Sequence, residues 1–178
     1  MILKPTIRCC TAISLVAIAS SWIGCGYALV GRTSSLPEDV RSIYVEALDN
    51  QTRRAQLEQV LARAIADEFV TRRRFEVVRS AADADAILSG TVRSFTVRPV
   101  SFGNAGRARE YEITIGTNME FKRTSNDGVL WAQDNYTFRE LYEADVSAAD
   151  FFSRQDEAIE EVAQKFAQTM VIDLLEGF

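Results

Sequence analysis

The sequence predicts an α+β fold, a two-layer sandwich in which two α-helices cover one face of a mixed or antiparallel sheet and the other face is polar. Three observations carry this. Leu57, Val60, Leu61, Ala64, Ile65 and Phe69 recur at spacings of three and four. Ile159, Val162, Phe166, Met170 and Leu174 do the same near the C-terminus. Between them, residues 111–122 alternate cleanly. Tyr111, Ile113, Ile115, Thr117, Met119 and Phe121 face one way, and Glu112, Thr114, Gly116, Asn118, Glu120 and Lys122 the other. Two amphipathic helices need one apolar sheet face to cover, and the polar half of the alternation leaves the second face wet.

Taken in order, 41–48 reads as a first strand, with Ile43, Val45 and Ala47 on one side. Asp49, Asn50 and Thr52 are helix-start residues, and the helix they introduce ends near Thr71. Arg72, Arg73 and Arg74 fall in its last turn, either as cations opposing the helix dipole or as a binding patch. Residues 75–78 form a short strand and 81–86 a turn. Residues 87–100 form a longer strand whose alternation shifts around Gly90, the mark of a bulge or a close backbone approach. Pro99 ends regular pairing or lies at an edge. A loop over 101–109 leads into the alternating strand, Asn126-Asp127-Gly128 signals a hairpin, and the return strand puts Ala132, Tyr136 and Phe138 on one face. Ser147 with Asp150, stapled by Val146 and Phe151, opens the last helix; Ser153 with Asp156 is the competing start.

Composition excludes several functions. The 178 residues contain no histidine and three cysteines, at a formal charge of −5. Without histidine there is no Ser-His-Asp arrangement and none of the commonest zinc ligand. No Gly-rich phosphate loop, EF-hand or zinc spacing is present. Asp83 with Asp85, and Glu157 with Glu160 and Glu161, are the conceivable acid/base sets, but turn and helix-surface carboxylates are solvated ones. The expectation is a non-enzyme without a cofactor other than covalent lipid.

The N-terminus points to the cell envelope. Lys4 and Arg8 precede an apolar stretch over 11–23, too short to span a bilayer, which ends in Gly24-Cys25. That arrangement resembles the lipobox of bacterial lipoproteins, with Trp22 where leucine is usual. The resemblance implies cleavage before Cys25 and acylation of it. The expected organisation is a signal peptide over 1–24, a lipidated tether over 25–40 and a single domain over 41–178. Removing residues 1–24 takes Lys4 and Arg8 away, which leaves 154 residues at −7. Such an acidic chain does not bind nucleic acid through phosphate neutralisation. It does carry Arg93, Arg98, Arg107 and Arg109 close together in sequence. Arginine suits bidentate contact with phosphate, so an anionic lipid headgroup is one reading; pairing with Glu110, Glu112 and Glu120 is the other.

Several stretches together resemble the LptE family of lipopolysaccharide-assembly lipoproteins, in its divergent non-enteric form. They are Gly24-Cys-Gly-Tyr-Ala-Leu, Ile43-Tyr-Val-Glu-Ala-Leu-Asp-Asn-Gln-Thr, Ala84-Asp-Ala-Ile-Leu-Ser-Gly-Thr-Val, Arg98-Pro-Val-Ser-Phe, Gly128-Val-Leu-Trp and the closing Arg154-Gln-Asp-Glu-Ala-Ile. The resemblance implies a four-stranded sheet with two helices on one face. It implies an outer-membrane lipoprotein on the periplasmic side that plugs an LptD-type β-barrel and assists its assembly in lipopolysaccharide transport. It also implies lipopolysaccharide contact through basic residues, for which Arg93, Arg98, Arg107, Arg109 and Lys122 are the candidates. A different envelope lipoprotein, a homo-oligomeric channel subunit of a secretion or assembly complex, is the alternative.

Overall fold

The computed structural model describes residues 36–37, 39–73, 75–103, 106, 108–143 and 148–177, without the side chains of 148–155. The leader, Cys25, most of the tether, Arg74, Arg107 and Ser147 lie outside the described residues.

Local sequence accounts for each element, beginning with a short strand, β1 (Ser42–Val45). It ends early, so Ala47 is exposed and Leu48 turns inward, against the alternation expected through 48. A two-residue strand, β2 (Asp49–Asn50), follows. Asn50 and Thr52 then shape a turn and do not start a helix. Thr52 N and Oγ1 donate to Asn50 Oδ1 at 2.9 and 2.8 Å, and Arg54 N donates to Thr52 Oγ1. The helix α1 (Leu57–Thr71) begins five residues later, with Glu58 in its first turn receiving Asn50 Nδ2 at 2.6 Å. Leu57, Leu61, Ile65 and Phe69 are its buried stripe. Its last turn holds no basic residue; Arg72 is the capping residue beyond it and pairs with Glu68 at 2.7 Å.

The strand β3 (Glu76–Val77) and a 3₁₀ turn (Ala81–Asp83) lead into β4 (Ala86–Phe102). Then come β5 (Ala108–Arg123), β6 (Val129–Glu143) and the long helix α2 (Ala148–Glu176). The β5–β6 turn has the expected chemistry: Asp127 takes φ 53° and Asn126 Oδ1 accepts from Gly128 N.

The sheet is mixed, in the order β3-β1-β4-β5-β6 with β2 beside β4. The pairs β1–β3, β1–β4 and β2–β4 are parallel, whereas β4–β5 and β5–β6 are antiparallel. Six strands replace the expected four because β2 and β3 are two-residue pairings, too short to leave a pattern in sequence. Beyond Val92, β4 has β5 as its single pairing partner among the described residues, so Pro99 does lie at an edge.

One core joins the stripes of both helices to the inner sheet face: Ile43, Ala86, Leu88, Ile113, Ile115 and Phe121 meet Leu61, Phe69, Phe166 and Met170. Phe166 presents its ring edge-on to Tyr136 and Phe138, with centroids 5.8 Å away in both cases. Gly90 faces Met119 across the β4–β5 pair, where a Cβ would come within 2.5 Å of Met119 Sδ. This is the close backbone approach read from the sequence. The bulge sits three residues on, at Arg93, between the pairs Val92↔Thr117 and Ser94↔Gly116.

Candidate functional site

The uncovered face of β4, β5 and β6 is the candidate surface. Its side chains follow from register. The row Thr96–Thr114–Arg139 lies beside Arg98–Glu112–Leu141, with Ser94–Gly116–Thr137 on the other side. Further toward the β5–β6 turn stand Ser89, Thr91, Asn118, Glu120, Lys122 and Ala132. Ala132 therefore belongs to the outer face, contrary to the expected grouping with Tyr136 and Phe138. A second bulge explains this. Thr117 pairs with Tyr136 but Met119 pairs with Gln133, which sets Asp134 and Asn135 against Asn118 alone, one residue more on β6, with Asn135 at φ 60°. Trp131 takes the inner position instead.

The two bulges meet over Asn118. Arg93 Nη1 donates to Asn135 Oδ1 at 2.9 Å and to Asn118 Oδ1 at 3.4 Å, and Asn135 N donates to Asn118 Oδ1 at 3.0 Å. Arg93 is thus held in a cross-strand knot of neutral amides.

The other candidate cations divide by position. Arg98 pairs with Glu112 at 2.6 Å, and Lys122 with Glu120 at 2.8 Å. The Glu120 carboxylate holds the Lys122 ammonium above its ordinary pKa. Arg109 is exposed in a third irregularity, between Ser101↔Glu110 and Phe102↔Ala108, and makes no ion pair among the described residues. Lys122 pairs with Ile87 and Arg98 with Glu112, so the two stand toward opposite ends of β5. The structure brings Arg98 and Arg109 toward one end, leaves Arg93 in mid-strand and sets Lys122 apart; Arg107 is outside the described residues. Sequence reasoning missed Arg139, on the same face and without an ion pair among the described residues. The signal was available, since Arg139 has the parity opposite to Tyr136 and Phe138 and so faces away from them.

Acidic groups dominate the opposite end of that face. A groove of about 470 Å³ is lined by Glu46, Asp49, Glu120 and Asp134 together with Ser89 and Asn118. Among the described residues no group of three or more His, Cys, Asp or Glu side chains is placed to hold a metal. Asp85, one of the conceivable acid/base carboxylates, is structural. Its Oδ2 accepts from Ser42 N, Arg41 N and Ser42 Oγ, each at 2.9 Å. The Ser42 and Arg41 backbone donors hold its carboxyl below the ordinary value of 3.8. Tyr136 donates to Asp173 at 2.8 Å, and burial followed by that carboxylate pushes its phenol pKa upward. Among the described residues no helix is long and apolar enough to cross a membrane.

A family model described as LptE, lipopolysaccharide-assembly, matches residues 40–174. No curated protein matches the sequence. Among solved structures, an uncharacterized lipoprotein B from Nitrosomonas europaea is similar at 16% identity and TM-score 0.52, over 84% of this chain and 90% of that one. The subunit of the PelC dodecamer from Paraburkholderia phytofirmans is similar at 15% identity and TM-score 0.51, over 82% and 94%. The hypothetical protein CT253 from Chlamydia trachomatis follows at 8% identity and TM-score 0.53, over 78% and 97%. At these identities the three establish the shared fold.

Proposed function

This chain belongs to the LptE family of lipopolysaccharide-assembly proteins, and from that premise we propose that it is an outer-membrane lipoprotein, acylated at Cys25, that plugs an LptD-type β-barrel and assists its assembly. The observation that carries the reading is the uncovered sheet face. Ser94, Thr96, Asn118, Glu120 and Thr137 give it hydroxyl, amide and carboxylate groups, while both helices bury their apolar stripes on the other side. A barrel lumen is polar and hydrated, so a rigid wedge with one such face suits it. Acyl chains at Cys25 would hold the chain at the bilayer, where several chains together anchor firmly and one does not. Arg98 and Arg109, at one end of the face, are the residues best placed for the phosphate groups of lipopolysaccharide. The reading assigns no reaction to the chain.

Purification from detergent-solubilised outer membranes tests it. The expected result is a one-to-one complex with a much larger β-barrel protein; recovery with no barrel companion would sink the reading. The alternative, a homo-oligomeric channel subunit, draws support from the PelC subunit, which has the same fold and assembles as a dodecamer. In that case the same preparation would give a closed ring of this chain alone.

A further inference from the structure

The outer edge of β6 is the longest unpaired sheet edge among the described residues. At the other side of the sheet β3 has two residues, and β4 beyond Val92 carries Pro99 and register shifts. Short length, proline and bulges all discourage strand addition. Residues 136–143 of β6 have none of these protections. They keep an unbroken register with β5 from Thr117↔Tyr136 to Glu110↔Glu143. On the open face this stretch presents Thr137, Arg139, Leu141 and Glu143. Leu141 is 58% exposed in an otherwise polar surface. Arg139 makes no ion pair among the described residues. Glu143 lies directly opposite Glu110, and like charges so opposed are destabilising.

We propose that a second copy of this chain pairs antiparallel with β6 about a two-fold axis at Leu141. In that register Leu141 meets Leu141 of the second copy, and each Arg139 meets a Glu143. The arriving guanidinium stands beside the Glu110–Glu143 opposition and neutralises it. The exposed leucine is covered, and the row Arg98–Glu112–Leu141 runs on into its two-fold image. Of the other registers, an axis at Glu140 opposes two glutamates and one at Arg139 opposes two arginines, while one at Tyr142 sets Leu141 against Glu143 and leaves Arg139 without that partner. The axis at Leu141 sets leucine on leucine and Arg139 on Glu143 together, the self-complementarity a two-fold interface requires. This inference goes beyond the barrel reading and does not depend on it, because it describes the chain outside the barrel.

Full-length Leu141→Cys and Thr137→Cys variants, purified in detergent and oxidised beside the parent chain, test the register. Opposed Cβ atoms stand about 5 Å apart, so Leu141→Cys should give a disulfide-linked dimer above the parent background. The two Thr137 positions would be roughly 26 Å apart and should stay unlinked. Adding Arg139→Glu to Leu141→Cys should lower the yield roughly tenfold, as two ion pairs become two like-charge oppositions. Adding Glu143→Arg as well should restore it. No dimer at 141, equal yields at 141 and 137, or no recovery in the charge swap would overturn the proposal.

Discussion

Replacing Gly90 with alanine probes the tightest point between β4 and β5. The new Cβ would lie 2.5 Å from Met119 Sδ and 2.6 Å from the Asn118 carbonyl oxygen. The two obstacles differ in kind. Met119 is flexible and can swing away, at the cost of its place in the core, where it is 2% exposed. The Asn118 carbonyl belongs to a strand paired on both sides, so it yields only if the ladder shifts. Alanine in a strand regains about 0.5–1 kcal/mol relative to glycine. Overpacking a filled core costs about 1–3 kcal/mol, and a collision with backbone lies at the upper end. The net loss should be about 2 kcal/mol, a fall in Tm of roughly 4–8 °C for a domain of this size. Thermal melts followed by circular dichroism measure it. In a Met119→Ala background, itself destabilised by the cavity it leaves, the cost of Gly90→Ala should shrink but not vanish, because the carbonyl remains. A Gly90→Ala chain that melts at or above the parent would refute the reasoning, and so would Gly90→Ala costing nothing in the Met119→Ala background.

Four further outcomes are expected. Asp85→Asn removes the anion that holds the start of β1 and should cost about 1 kcal/mol at neutral pH, discounted for solvent exposure. Because the folded carboxyl titrates below 3.8, its stabilisation is complete above that value and is lost as pH falls through the folded value. Asp85→Asn should therefore flatten the acid side of a stability–pH curve, and an unchanged acid limb would count against this role. Thr117 is fully buried with its hydroxyl unpartnered among the described residues, so Thr117→Val should raise stability by about 1 kcal/mol in urea titrations. Cys25→Ser should release the chain from membranes in fractionation while its melting temperature is unchanged. Charge reversal at Arg98 and Arg109 should weaken lipopolysaccharide binding in a pull-down without lowering Tm; undiminished binding removes both from the surface.

The elements that were legible in sequence are those whose pattern is local. The stripes of α1 and α2, the alternation of β5 and the Asn126–Gly128 turn each repeat a period that the residues themselves impose. The bulges were legible at most as a phase shift, read around Gly90, because their place is defined against a neighbouring strand. Residues 86–92 and 95–97 alternate in two phases, and only the pairing with β5 shows that Arg93 is where they part. Asp134-Asn135 offered a hint, as two turn-forming residues inside a strand, yet nothing local says that Ala132 then faces outward. The same dependence governs the arginines. Proximity in sequence grouped Arg93 with Arg98, but a bulge turned the first into a knot with Asn118 and Asn135. Arg139 lies past the Asn135 bulge, where the alternation with Tyr136 and Phe138 is unbroken, and its outward place was legible.

The entry of the chain into the fold has a mechanical consequence. Leu36 and Val40 are buried, and Asp39 is paired with Arg123 at the last residue of β5. The fold therefore grips its own N-terminal approach from residue 36 onward. The sixteen residues of β5 extend roughly 50 Å from that grip to Ala108. A pull on the N-terminal approach is therefore borne at the corner beside the β5–β6 turn, at the far end of the strand from Arg98, Arg109 and Phe102.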